Sequence, residues 1–221
     1  MRRPRDWNSS LSITSNSTKN LYYTLASSYR ADASGEYTTT FSGGLNYRAT
    51  SFLQFSVEPT FVKELNTDQY QTVGNFDNDP EDDFLFSDSN LDIFYTEFRL
   101  NWSFSPRLSL QTYARPLFYA ADFSNFKTFE NRRTYDFTPL DPSTQVAFER
   151  VIDFDYRVLQ GNAVLRWEYK PGSTIFFVWQ QEREQILDGQ SFFDPFKNTP
   201  DLFREDPINV FLIKLSYWFG N

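Results

Sequence analysis

Nine charged residues sit at alternate positions within stretches that are otherwise half apolar: Arg48, Glu58, Glu97, Arg99, Arg115, Arg166, Glu168, Lys170 and Lys214. Successive side chains of an extended chain point to opposite faces. Glu97 and Arg99 therefore share one face, as do Arg166, Glu168 and Lys170, while large apolar neighbours take the other. Two chemistries suit such a face. Lining a water-filled lumen, the charges would tune which solutes pass. Paired across neighbouring strands, they would brace or fill a wall with no transport.

Other groups offer less. Asp77, Asp79, Glu81 and Asp88 lie near the ligand positions of a calcium loop, but Pro80 intrudes and Asp82 stands where the turn glycine belongs. A solvated acidic loop over Asn75–Asn90 is the simpler expectation, and no metal or cofactor is expected. Phe123, Phe126, Phe129 and Phe137 fall in one long connection, and Phe192, Phe193, Phe196 and Phe203 in another. These rings could meet a glycan or a protein ligand, but packing the two loops together as a lid explains them better. The 221 residues include no His and no Cys, which removes the Ser-His-Asp triad, the thiol nucleophile and disulfides. Nothing in the spacing of the 29 Asp and Glu selects a glycosidase pair, so no catalytic activity is expected. A net charge of −8 argues against nucleic acid as a partner.

The charged faces need long two-sided strands, and the sequence supplies nine. Leu159, Gly161, Ala163, Leu165, Trp167 and Tyr169 oppose Gln160, Asn162, Arg166, Glu168 and Lys170, with Val158 and Val164 the apolar interruptions. Phe94, Phe98, Leu100, Trp102 and Phe104 likewise oppose Tyr95, Glu97, Arg99 and Asn101. The spacing predicts strands over about 7–16, 21–30, 37–48, 52–74, 93–104, 108–121, 156–170, 174–186 and 211–219, with a bulge or break at Pro59. Turns at 17–20, 49–51, 105–107 and 170–173 are short, whereas connections near 76–90, 122–155 and 187–207 are long; only 32–36 breaks the alternation. Tyr47, Trp102, Phe104, Trp167, Tyr169, Tyr217 and Phe219 all stand at strand ends beside the short turns, as membrane-interface aromatics do.

Mean hydropathy is −0.55 and no run of 18 apolar residues occurs, so no helical span is expected. Half-polar strands, loops that alternate in length and an aromatic girdle are together the pattern of an antiparallel up-and-down transmembrane β-barrel. Nine strands ending on the short-turn side put the N-terminus on the other side, and bacterial barrels have even strand numbers. The start Met-Arg-Arg-Pro-Arg-Asp-Trp carries no apolar signal core. The chain therefore reads as one domain, a C-terminal fragment of a larger barrel, open or incomplete on its own.

Val164-Leu165-Arg166-Trp167-Glu168-Tyr169-Lys170-Pro171-Gly172-Ser173, with Phe176-Phe177-Val178-Trp179 and the early Arg2-Arg3-Pro4 and Trp7, resembles a domain-of-unknown-function group of outer-membrane proteins from Bacteroidota and allied Gram-negative bacteria. Members carry a module like family-9 carbohydrate-binding modules ahead of a large C-terminal barrel. The resemblance implies an outer-membrane location and a barrel, and it brings no sugar site and no catalytic residue to this chain. Tyr217 and Phe219 also match aromatic positions of the signal read by the barrel-insertion machinery. The match departs at Lys214, where glycine is usual, and at the Gly220-Asn221 end. The expected function is a pore or a surface scaffold of a larger, possibly carbohydrate-handling protein, in contact with the outer-membrane bilayer. A closed-lumen receptor acting through its long loops and a soluble antiparallel sheet protein are the alternatives.

Overall fold

The computed structural model describes residues 5–74, 76, 83–129 and 137–219. The chain runs β1 (Asp6–Thr14), β2 (Leu21–Asp32), β3 (Tyr37–Thr50), β4 (Leu53–Gly74), β5 (Asp83–Ser105), β6 (Leu108–Phe129), β7 (Phe137–Pro139), α1 (Pro142–Ile152), β8 (Phe154–Lys170), β9 (Ser173–Asp188), α2 (Pro195–Leu202) and β10 (Ile208–Ser216). All strands belong to one antiparallel sheet in chain order, apart from the three-residue β7, which pairs only with β6. No described helix is long and apolar enough to cross a membrane.

The nine expected strands are present and the sheet is open, with β1 and β10 as its edges. Because every neighbour is antiparallel, these two edges run in the same direction and cannot close as an antiparallel pair. Four boundaries differ from expectation. β5 begins at Asp83, not Ile93, so part of the expected acidic loop is strand. β6 continues to Phe129, which places Phe123 and Phe126 in a strand and not in a loop. The long connections hold helices, and the last strand stops at Ser216, leaving Tyr217 and Phe219 beyond it. Pro59 pairs opposite Thr96 with no register shift there, because a residue between two continuous ladders loses only its own donor.

The short hairpins descend in even steps. Leu21 pairs with Tyr47 and Tyr47 with Phe55, and the next hairpin returns at Leu53, two residues lower. Leu53 aligns through Trp102 with Leu110, and that hairpin returns at Leu108; Leu108 aligns through Trp167 with Ile175, and the last returns at Ser173. One residue of stagger per strand, at ~3.3 Å along and ~4.8 Å across, sets the strands about 35° from the normal to the line of turns. That stagger is the one a barrel wall has. At Gly172 the β8–β9 hairpin takes φ 72°, and a Cβ there would lie 3.0 Å from that of Trp218.

Buried side chains are few and concentrated at the long-loop end. Leu85, Ala121, Phe123 and Phe126 form a cluster, joined by Phe76, Leu91, Tyr119, Leu140, Phe148, Ile152 and Phe154. A bulge at Asn125, φ 52°, returns Phe126 to the face already occupied by Phe123.

Candidate functional site

Register sorts the side chains into two faces. On the polar face Glu58 stands opposite Glu97, and the same row continues towards Arg115, Gln160 and Glu182. A second row sets Ser56, Arg99, Tyr113, Asn162 and Gln180 side by side. Nearer the short turns lie Arg48, Gln54, Asn101 and Gln111, then Ser103, Ser109 and Arg166. The structure thus brings Glu58, Glu97, Arg99 and Arg115 together, with Arg166, Glu168, Lys170 and Lys214 nearer the turns.

Half of these charges are satisfied within the wall. Arg99 Nη2 donates to Glu97 Oε2 at 2.7 Å, and its guanidinium lies 4.8 Å from the Tyr113 ring. Arg166 Nη2 donates to Glu168 Oε2 at 3.3 Å, while Glu168 Oε1 accepts the Gly172 N–H. Gln160 donates to Glu182 at 2.8 Å. Arg48 donates to the Ser17 carbonyl and lies over Tyr22, and Lys170 lies 5.6 Å from the Tyr217 ring. Arg115 differs: its guanidinium sits 4.5 Å from the Tyr95 ring, and its buried Nε has no hydrogen-bond partner. A guanidinium that stacks on a ring but bonds no carboxylate keeps its donors for something else. The tyrosine platforms were legible only as inward residues, since stacking depends on which strand lies alongside.

On the opposite face the rows read Leu45, Val57, Phe98 and Ala114; Tyr47, Phe55, Leu100 and Thr112; and Leu53, Trp102, Leu110 and Leu165. These apolar side chains are the exposed ones: Leu25, Phe41, Leu45, Phe55 and Phe98 are open, while the polar-face Tyr22, Thr24, Ser42 and Asn46 are half-buried. A sheet curled towards its polar face gives that inversion. Tyr47, Trp102, Phe104, Trp167 and Tyr217 are exposed beside the short turns, and Phe219 follows. Trp102 and Phe104 rings are 4.3 Å apart, Tyr217 and Phe219 4.5 Å, and the half-buried Tyr169 meets Trp167 at 6.2 Å.

Two features lay outside the sequence reading, and a third extends the interruption already read at Val164. Trp7, Tyr29 and Tyr37 cluster on the apolar face at the far end of β1–β3, with centroids 5.0 and 6.3 Å apart. Asp155 and Arg157 share the parity of Leu159–Trp167, hence the apolar face, and form a buried ion pair with Arg157 Nη1 also donating to Gln185 at 3.0 Å. Val164, Val178 and Leu212 put an apolar patch on the otherwise polar face.

The two long connections do not form a common lid, because they lie on opposite faces. Phe148 of α1 packs at 5.3 Å on Phe126 and 5.8 Å on Phe76, over the polar face. Phe193 meets Phe61 at 5.9 Å and Phe196 meets Phe94 at 6.0 Å, over the apolar face. Of the proposed calcium ligands, Asp77, Asp79 and Glu81 lie outside the described residues, as do Arg2, Arg3, Pro4, Gly220 and Asn221. Asp88 is engaged by Lys127 at 2.8 Å and by Asn125 at 2.7 Å. Among the described residues no group of three or more acidic side chains could hold a metal.

At the long-loop end Glu36 takes the β2–β3 turn to β4 by accepting the Thr67 N–H at 3.3 Å. Burial, reinforced by a hydrogen bond and repulsion from Asp68, pushes its carboxyl up to about 7. Asp32 is held below its usual value, its burial outweighed by hydrogen bonds from Ser34, Glu36 and Gly35. Comparison with curated proteins and with solved structures gave no match. A family model described as a domain of unknown function, DUF5916, matches residues 1–220, and the chain belongs to that family.

Proposed function

We propose that the chain is nine adjacent strands of a bacterial outer-membrane β-barrel, serving as a pore or surface scaffold of a larger, possibly carbohydrate-handling protein. The observation that carries this reading is the stagger. The aromatic residues Tyr47, Trp102, Trp167 and Tyr217 descend the sheet in step with the hairpins, so rings and turns keep one level while the strands cross it at about 35°. Above that level the apolar face runs from Phe104 up to Phe94 on β5. Those ten steps of ~3.3 Å, so inclined, rise about 27 Å, close to the apolar band of outer-membrane barrels. A soluble monomer rarely exposes an apolar patch beyond a few hundred Å². In this reading the lipid bilayer is the principal partner, and the final strand is what the barrel-insertion machinery engages.

A closed lumen is the second reading, favoured by α1 and its cluster lying over the polar face at the long-loop end. Two measurements separate the possibilities. The protein should need detergent and show a heat-modifiable gel band; full solubility and monodispersity in plain buffer would end the membrane reading. In planar bilayers discrete conductance steps mark a pore, and silence from a fully folded protein marks the closed form.

A further inference from the structure

The apolar face carries rings at its upper level over only part of its width. On β1–β3 these are Trp7, Tyr29 and Tyr37, and Tyr37 stands ten residues above Tyr47 of the lower girdle. The row of Tyr29 continues through Thr39 to Lys63 and Asp92, an ion pair of 3.1 Å, and the rings of β4 and β5 just below it, Phe61 and Phe94, are half-buried. The β9–β10 segment covers them with rings of its own. Phe193 and Phe196 lie against Phe61 and Phe94, and Phe94 stands ten residues above Phe104.

The segment is fastened to the wall. Arg183 Nη1 donates to the carbonyls of Phe203 at 2.6 Å and Glu205 at 2.7 Å, and Gln185 donates to the Glu205 carboxylate at 2.7 Å. On the same face of the wall Phe118, Asp155 and Arg157 are almost wholly buried. Yet Phe192, Phe196 and Phe203 remain 54%, 82% and 58% exposed. The charges of α2 are neutralised in place by Asp194–Lys197 and Asp201–Arg204 pairs at 3.2 and 2.7 Å. Fixed aromatic rings beside charges paired in place, one apolar-band height above a first girdle, suit the headgroup layer of a bilayer.

We propose that the β9–β10 segment, through Phe192, Phe196 and Phe203, is the upper membrane-interface girdle for the β4–β9 part of the wall, its occupant being lipid of the leaflet on the long-loop side. The inference rests on the membrane reading above and goes beyond it by assigning a loop to the interface. The absence of cysteine allows unique nitroxide labelling at Phe196→Cys, Phe203→Cys, Leu165→Cys and Ser34→Cys in the full chain, refolded into phosphatidylcholine vesicles. Relaxation by oxygen and by a water-soluble nickel chelate then reads depth. Leu165 should report hydrocarbon, exposed Ser34 water, and both Phe196 and Phe203 a depth shifted from the Ser34 value towards that of Leu165 without reaching it. If Leu165 reports lipid while Phe196 and Phe203 match Ser34, the girdle is overturned and the membrane reading stands. Shielding of both phenylalanine positions from both reagents overturns it in favour of a protein contact. A Leu165 label as wet as Ser34 brings down the membrane reading and this inference with it.

Discussion

The β6–β8 and β9–β10 connections leave the same end of the sheet and each contains a helix, yet one settles on the polar face and the other on the apolar face. Their helices differ in how far they complete themselves. α1 brings Phe148 and Ile152, with Leu140 just ahead of it, onto a cluster whose centre, Phe126, is wholly buried. α2 buries Leu202 and Asn198 and leaves its largest ring, Phe196, in the open. One segment completes a core within the protein, whereas the other is fastened down with its rings exposed. The contrast is one of packing, since both helices are capped alike by an aspartate, Asp141 and Asp194, that accepts backbone N–H groups.

The largest effect that could break this contrast is at Phe126. Phe126→Ala should cost about 3–5 kcal/mol by emptying the cluster under α1, read as a shifted urea midpoint of the detergent-folded protein. A shift worth less than about 1 kcal/mol would mean that α1 is not seated on a core. Next comes the wall to which α2 is fastened. Leu165→Arg, two residues above the Trp167 ring, should lose about 1–2 kcal/mol of folding stability in bilayers, while Asn162→Arg, on the polar face, should fold in nearly wild-type yield. Equal losses at the two sites would remove the distinction between the faces and so between the loops.

At Phe196, Phe196→Ala should change stability in detergent by no more than about 0.5 kcal/mol, as at other exposed sites. A loss matching that at Phe126 would make α2 a core helix like α1. The smallest effect is local, at the β2–β3 turn of the same end. The Glu36 carboxyl binds its proton more tightly folded, at about 7, than its ordinary 4.5. The folded state therefore holds more protons between those values, and the turn is firmest below pH 4.5 and loosens as pH rises through 7. Hydrogen exchange at Thr67 should follow that course, and Glu36→Gln should flatten it; an unchanged pH dependence in the variant would assign it to another group.

The parts of the strands nearer the short turns were legible because one face there is continuously apolar, and period two survives wherever that holds. The sequence was silent above Ile93. In Asp83–Asp92 the apolar face gives way to Asp88, Asn90 and the outward Asp92, and dense Asp and Ser read as loop although the ladder to β4 and β6 continues. Asn125 hid the end of β6 in another way, since its bulge moves Phe126 out of phase with Phe123. Among the candidate site residues, positions on a face were legible, as with Glu97, Arg99 and Arg166. Partners were not: that Arg115 stacks on Tyr95 while Arg99 takes Glu97 depends on rotamers and neighbours that no spacing encodes. The faces chosen by the two long connections depend on contacts far apart in sequence, such as Phe61 with Phe193.

The even descent of the hairpins also fixes how much circumference each strand occupies. At ~4.8 Å between strands inclined by about 35°, one strand takes about 5.9 Å of perimeter, so the nine long strands make an arc of about 53 Å. Since β1 and β10 run the same way, an all-antiparallel ring adds an odd number of strands to that arc. The smallest ring, of ten, measures about 59 Å around and is near the size at which side chains fill the interior, whereas aqueous bores belong to rings of about sixteen or more. If the sheet closes as a barrel, the width of its bore is therefore set by what pairs with β1 and β10.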